Sequence, residues 1–262
     1  MIPSLAPDGI HHIREIAPST YQIDEGGIVN LYLLLGATSG LVIDSGIGVG
    51  DLKGSLAAIT PLPLTLVATH QHCDHVGGRH AFPSCYVEKR DHTLGCAFLS
   101  SSFAAKTLLK MGHLHLPWAQ KEEKGKFTYF SAGKVFDLGG RKVSTLLIPG
   151  HTKGSIALLD EKEHLLFSGD DVNPYLWLQL PSSTSLSTWM KGAESVLTLS
   201  KTYTIYGGHQ KEPITGEAIQ DLIGLAKKML ALKPWGVFPH HIFEFPVGKN
   251  APRIRIGPKQ FH

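Results

Sequence analysis

The 262-residue chain is 42% apolar and 18% charged, an ordinary globular composition long enough to bury a full core. Its formal net charge of +3 is small, and Lys and Arg are scattered: Lys89-Arg90, Arg141-Lys142 and Lys227-Lys228 are the only adjacent pairs, so no basic tract argues for nucleic acid. No stretch approaches membrane-spanning length, the first residues lack the basic head and apolar run of a secretory signal, and the odd set Cys73, Cys85 and Cys96 predicts a reducing cytoplasm.

In chain order, residues 21–23, 29–35 and 40–44 read as strands divided by glycine-containing turns. Residues 51–59 predict a short helix closed by Pro61 and Pro63, and 64–69 the next strand. A short helix over 77–83 and a strand at 85–87 follow. From Asp91 to Trp118 the pattern is helical and apolar, and the irregular insert at about 92–126 predicts a lid. Strands over 127–130, 134–136 and 142–148 restart a strand-rich half, with a hairpin around Glu161-Lys162-Glu163. A helix over 187–199, a strand over 202–206 and a helix with Ile219, Leu222, Ile223, Ala226 and Leu230 on one face come next. Two short strands, 242–245 and 253–256, end the pattern, and no linker divides the chain, which predicts one domain over 1–262.

The chemistry concentrates in His70-Gln71-His72-Cys73-Asp74-His75, directly behind the apolar run Leu66-Val67-Ala68. Imidazole and carboxylate suit zinc and similar divalent ions. His70 and His72 at i, i+2 fit a tight loop in which both rings meet one ion, and Asp74 and His75 continue round the turn towards a second. Cys73 is a bystander among sufficient ligands. Three further strand ends carry a metal-type residue, at His151, Asp170 and His209, each beside glycine.

With the turn Asp44-Ser45-Gly46, the block His70-x-His72-x-Asp74-His75, the run Pro149-Gly150-His151-Thr152-x-Gly154-Ser155, and Ser168-Gly169-Asp170 and Gly208-His209 in this order, the sequence resembles the metallo-β-lactamase superfamily over about residues 29–210. The resemblance implies an α/β fold, an αββα sandwich of two mixed sheets flanked by helices. It implies a first metal held by His70, His72 and His151, and a second by Asp74, His75 and His209. Asp170 would bridge them, with Asp171 the competitor, and Asp44 would support the ligand loop without binding metal. The expected cofactor is a pair of Zn2+ ions, with manganese or iron as alternatives.

Such a site is expected to cleave a carboxylic ester, thioester or lactone with a hydroxide held between the ions, Asp74 passing a proton to the leaving group. Missing recognition segments weigh against glutathione thioesters and polynucleotides. The apolar run 174–181, with Phe98, Phe103, Leu109 and Trp118, is a candidate acyl-chain wall, and Tyr175, Trp177 and His241 are candidate substrate contacts. His113, His115 and His240 have no assigned role. The rival readings are an iron-dependent redox enzyme of the persulfide dioxygenase type, a β-lactam or phosphodiester hydrolase, and a metal-bearing module without catalysis.

Overall fold

The computed structural model describes residues 4–93, 126–232, 243–246, 253–257 and 260. Two compact units are distinguished, Met1–Ser144 with Asp160–Glu163, and Thr145–Leu159 with His164–His262. Residues 94–125, nearly all of the expected lid insert, lie outside the described residues, and with them Phe98, Phe103, Leu109, Trp118, His113 and His115; so do His240 and His241.

The first sheet has seven strands in sequence order: β1 (His11–Ala17), β2 (Thr20–Glu25), β3 (Val29–Leu35), β4 (Gly40–Ile43), β5 (Leu64–Val67), β6 (Ser84–Glu88) and β7 (Lys126–Phe130). The first four pair antiparallel, and β4 to β7 pair parallel. The parallel half puts the carboxyl ends of β4 and β5 side by side, where open sheets of this kind place their chemistry. Helix α1 (Leu52–Ala57) opens on Asp51, whose carboxylate accepts from the Gly54 N–H at 2.9 Å. Helix α2 (Cys73–Val76) and a 3-10 turn at Gly77–Ala81 follow β5. Ile23, Leu31, Leu33, Val42, Leu66, Cys85 and Val87 fill the core of this unit.

β1 has no counterpart among the sequence expectations. Its residues His11-His12-Ile13-Arg14-Glu15 are mostly polar, yet His11 is fully buried. Its Nδ1 lies 2.5 Å from Asp8 Oδ2 and its Nε2 3.8 Å from Glu25 Oε1, and Ser55 Oγ is 3.1 Å from Nδ1. Burial acts to lower the His11 pKa, but Glu25 and then Asp8 outweigh it and raise it above the usual value. For Asp8, burial opposes the charge, but the N–H groups of Ile10 and His11, then the His11 charge, hold the carboxyl down at about 2. The raised imidazole contributes stability below its unfolded pKa of about 6.5, and that contribution is lost as pH rises through the folded value. The lowered carboxyl contributes above about 3.8, and its share is lost as pH falls towards 2. Urea unfolding of wild type and His11→Gln is therefore expected to show the largest gap, about 1–2 kcal/mol, between about pH 4 and 6.5, narrowing on both sides. A gap that is flat from pH 4 to 9 would show that His11 does not act through its charged form.

A five-stranded sheet runs in the order β13-β11-β10-β9-β8 and comprises β8 (Val135–Asp137), β9 (Lys142–Leu147), β10 (Ile156–Asp160), β11 (Leu165–Gly169) and β13 (Thr204–Gly207). A three-stranded sheet places β15 (Arg253–Ile256) between β12 (Tyr175–Leu178) and β14 (Phe243–Pro246). Helix α3 (Leu186–Leu199) is capped by Ser185 Oγ, which accepts from the Thr188 N–H, and buries Leu186, Trp189, Ala193 and Val196 along one stripe. Helix α4 (Gly216–Leu232) buries Ile219, Leu222, Ile223, Ala226 and Met229, with Leu230 at the margin of that core. No helix among the described residues is long and apolar enough to cross a membrane.

The run at 174–181 departs from the expected acyl-chain wall. Residues 175–178 form a strand with alternating sides, so Leu176 and Leu178 are buried in the core of the second unit beside Ile254 and Ile256. Of these four, Tyr175 and Trp177 face outward.

Candidate metal centre

The parallel pairing of β4 with β5 sets Ile43 against Val67, so the chains leave both strands together, with the Asp44 N–H donating to Val67 O at 2.9 Å. Asp44 turns away with φ +63°, a left-handed conformation that a non-glycine residue adopts at a strain of about 1 kcal/mol. The turn that follows is laced to the ligand loop. The Ser45 N–H and hydroxyl both donate to His75 O, and Gly77 N–H donates to Gly46 O. A Cβ on Gly77 would collide with the Ile47 carbonyl, so glycine is required at this close approach.

Asp44 then fixes the chemistry of two imidazoles. Its Oδ2 lies 2.9 Å from His75 Nδ1 and 2.9 Å from Thr69 Oγ1. A carboxylate only accepts, so His75 carries its proton on Nδ1 and the Thr69 hydroxyl donates to Asp44. That leaves the Thr69 oxygen to accept from His70 Nδ1, 3.1 Å away. In the neutral ring this places the proton on Nδ1 and leaves Nε2 unprotonated, the form in which imidazole binds metal. His70 Nε2 lies 3.0 Å from His72 Nδ1, and His75 Nε2 lies 3.7 Å from Asp74 Oδ2. His70, His72 and His75 are buried, whereas the Asp74 side chain is 31% exposed. The first unit thus brings together four of the expected ligands and the expected supporting aspartate.

The second unit brings together the other three. β11 and β13 pair parallel with Gly169 opposite Gly207, so Asp170 and Gly208-His209 emerge side by side. Asp170 Oδ2 lies 3.2 Å from His209 Nε2 and 3.6 Å from His151 Nε2, while its Oδ1 accepts from Asn173 Nδ2 at 2.9 Å. His151 Nδ1 is 2.7 Å from the Trp177 carbonyl oxygen, which only accepts, so this ring also presents an unprotonated Nε2. Asp171 is used differently. Its Oδ1 accepts from the His151 N–H at 2.9 Å, and its carbonyl accepts from Trp189 Nε1. Between the two adjacent carboxylates, Asp170 is the one set between histidine nitrogens.

The donor set suits divalent ions, because His70, His75 and His151 each have Nδ1 committed to an acceptor. Cys73 does not join it. Burial pushes its thiol up to about 12, and the neighbouring Asp74 charge adds to this, so it stays protonated at neutral pH.

Sequence reasoning did not pick out Thr69, Asp91, Asn173 or the Trp177 carbonyl. Asp91 is buried and accepts from the Gln71 N–H at 3.0 Å, holding the loop between His70 and His72. Thr69 adjoins the motif and was open to detection; the others become neighbours only through the fold. Asp44→Asn is expected to weaken metal binding about 10–100-fold, because the amide has one acceptor oxygen where the carboxylate uses two, Oδ2 for His75 and the Thr69 hydroxyl and Oδ1 for the Thr69 N–H. Competition with a chromophoric chelator reads this directly, and unchanged affinity would deny Asp44 its orienting role.

The family model described as the metallo-beta-lactamase superfamily matches residues 24–241. Among curated proteins, the acyl-coenzyme A thioesterase MBLAC2 of Gallus gallus is 32% identical over 168 residues, covering 57% of this chain and 59% of the relative. The protein of that name from Homo sapiens is 29% identical over 189 residues, covering 63% and 64%. The chain thus spans roughly three fifths of the length of these relatives. Among solved structures, ST1585, a metallo-beta-lactamase superfamily protein from Sulfolobus tokodaii, superposes with a TM-score of 0.56 at 19% identity, covering 82% of this chain and 86% of that one. This likeness shows the expected α/β sandwich of mixed sheets flanked by helices. With its family model matched over most of its length and its fold shared, the chain belongs to the metallo-beta-lactamase superfamily.

Proposed function

We propose that this protein is a metal-dependent hydrolase of acyl thioesters. In this reading His70, His72 and His151 would hold one divalent ion, Asp74, His75 and His209 would hold a second, and Asp170 would be shared between them. Zinc is the first expectation, with manganese and iron the alternatives. The observation that carries the reading is that Nδ1 of each of His70, His75 and His151 lies against an acceptor, an arrangement that favours the tautomer in which Nε2 binds metal. The names of the curated relatives favour thioesters over other acyl substrates.

A pair of such ions supplies Lewis acidity for a carbonyl oxygen and makes a water acidic enough to attack near neutral pH. The chain's own residues do the rest. Asp44 keeps His70 and His75 in the ligand tautomer, and the Trp177 carbonyl does so for His151. Asp74, the more exposed carboxylate of the first unit's set, takes the proton of the attacking water and returns it to the leaving sulfur. Tyr175 and Trp177 contact the substrate beside His151.

Zinc-loaded protein assayed against an acyl-coenzyme A, a simple ester, a lactone, a phosphodiester and a β-lactam tests this. The expected outcome is turnover greatest for the thioester, with two ions per chain by elemental analysis. One iron and no zinc in the purified protein would replace the reading with redox chemistry. Two ions with no turnover of any substrate would replace it with a non-catalytic module.

A further inference from the structure

The three-stranded sheet of the second unit has two unlike faces. Leu176, Leu178, Ile254 and Ile256 fill one and are fully buried. The register sets Tyr175 opposite Arg253 and Trp177 opposite Arg255, so these four residues share the other face. Tyr175 and Trp177 are 38% and 40% exposed, unusual for rings of this size. Their centroids are 6.0 Å apart, edge to face, and the Arg255 guanidinium lies 5.7 Å from the Trp177 ring centroid. The chain holds only six arginines among its 25 basic residues, and two of them stand here, two positions apart on one strand.

A face that only had to stay solvated would be served by lysine, whereas arginine offers a planar fork that matches phosphate oxygens. Exposed aromatic rings beside such forks offer a stacking surface for a base. This face is also joined to the ligand set, because His151 Nδ1 donates to the carbonyl of Trp177 itself. The Tyr175 and Arg253 end lies two residues, about 7 Å, further along the strand from that bond.

We propose that Tyr175, Trp177, Arg253 and Arg255 form a binding site for the phosphorylated adenine nucleotide at the far end of a coenzyme A thioester. The rings stack the base and the guanidinium groups hold the phosphates. This inference rests on the thioesterase reading for its substrate, but its first test does not require turnover.

Adenosine 3′,5′-bisphosphate, titrated calorimetrically into the metal-loaded protein, is expected to bind, and Arg253→Gln with Arg255→Gln to weaken it at least tenfold. Trp177→Ala weakens it similarly, whereas Trp177→Phe, which keeps a ring and the same backbone carbonyl, restores most of the affinity. In kinetics, the preference for acyl-coenzyme A over the corresponding acyl-pantetheine falls about tenfold in the double arginine variant. Equal use of the two thioesters by wild type, or nucleotide affinity indifferent to both arginines, overturns the site while leaving the thioesterase reading intact. Nucleotide binding that follows this pattern in a protein without thioester turnover supports the site and sinks that reading instead.

Discussion

Asp170→Asn is expected to lower kcat/KM for an acyl thioester by about three orders of magnitude and to reduce bound metal from two ions to one at most. The change is isosteric, so the fold should survive it. The amide oxygen can still accept from Asn173, whose Nδ2 reaches Asp170 Oδ1 at 2.9 Å. What disappears is the negative charge facing His209 Nε2 at 3.2 Å and His151 Nε2 at 3.6 Å. A neutral amide is a poor bridge between two cations, because it offers one acceptor oxygen and turns donor hydrogens to the other side. Asp171→Asn is the informative control. Asp171 accepts the His151 N–H at 2.9 Å, a bond that the amide oxygen of asparagine can keep, so this variant should have the smaller effect on metal content. Elemental analysis with thioester kinetics on both variants distinguishes them; full activity and metal in Asp170→Asn, with loss in Asp171→Asn, would transfer the bridge to Asp171.

Much of this was legible because chemistry and periodicity coincide in the sequence. Strands β3 at Val29–Leu35 and β15 at Arg253–Ile256 match the expected spans residue for residue. The seven candidate ligands stood out because histidine and aspartate rarely cluster at strand ends unless they hold something there. β1 was hidden because its burial rests on the pairing of His11 with Asp8 and Glu25, which apolar periodicity does not register. β12 was hidden for the opposite reason: Tyr175, Leu176, Trp177 and Leu178 are all large and apolar, so alternation between core and outward face leaves no trace in composition. Least legible was the orienting layer. Asp91 is 20 residues from its Gln71 partner, and the acceptor for His151 is a backbone carbonyl, which every residue type possesses.

Arg141→Met is expected to destabilise the fold by about 3–5 kcal/mol, because it strands a buried charge rather than merely removing a contact. Arg141 and Asp160 are 2% and 0% exposed, and their Nη2 to Oδ2 separation is 2.5 Å. The guanidinium also donates through Nε to Asp160, through Nη1 to the carbonyls of Ser19 and Leu35, and through Nη2 to Thr20 Oγ1. One side chain therefore ties together the turn before β2, the end of β3 and the end of β10, all within the first unit. Methionine fills part of the volume but satisfies none of these acceptors, so Asp160 must protonate or admit water. At about 2–4 °C per kcal/mol for a chain of this size, the melting temperature should fall by about 6–20 °C. The charge argument has a sharper consequence than the size of that fall. Adding Asp160→Leu to Arg141→Met removes the stranded carboxylate and should recover a large part of the lost stability, since apolar replacement of a whole buried pair is often near neutral. A double variant less stable than Arg141→Met alone, measured by urea unfolding, would show instead that the carbonyls of Ser19 and Leu35, rather than the carboxylate, dominate what Arg141 contributes.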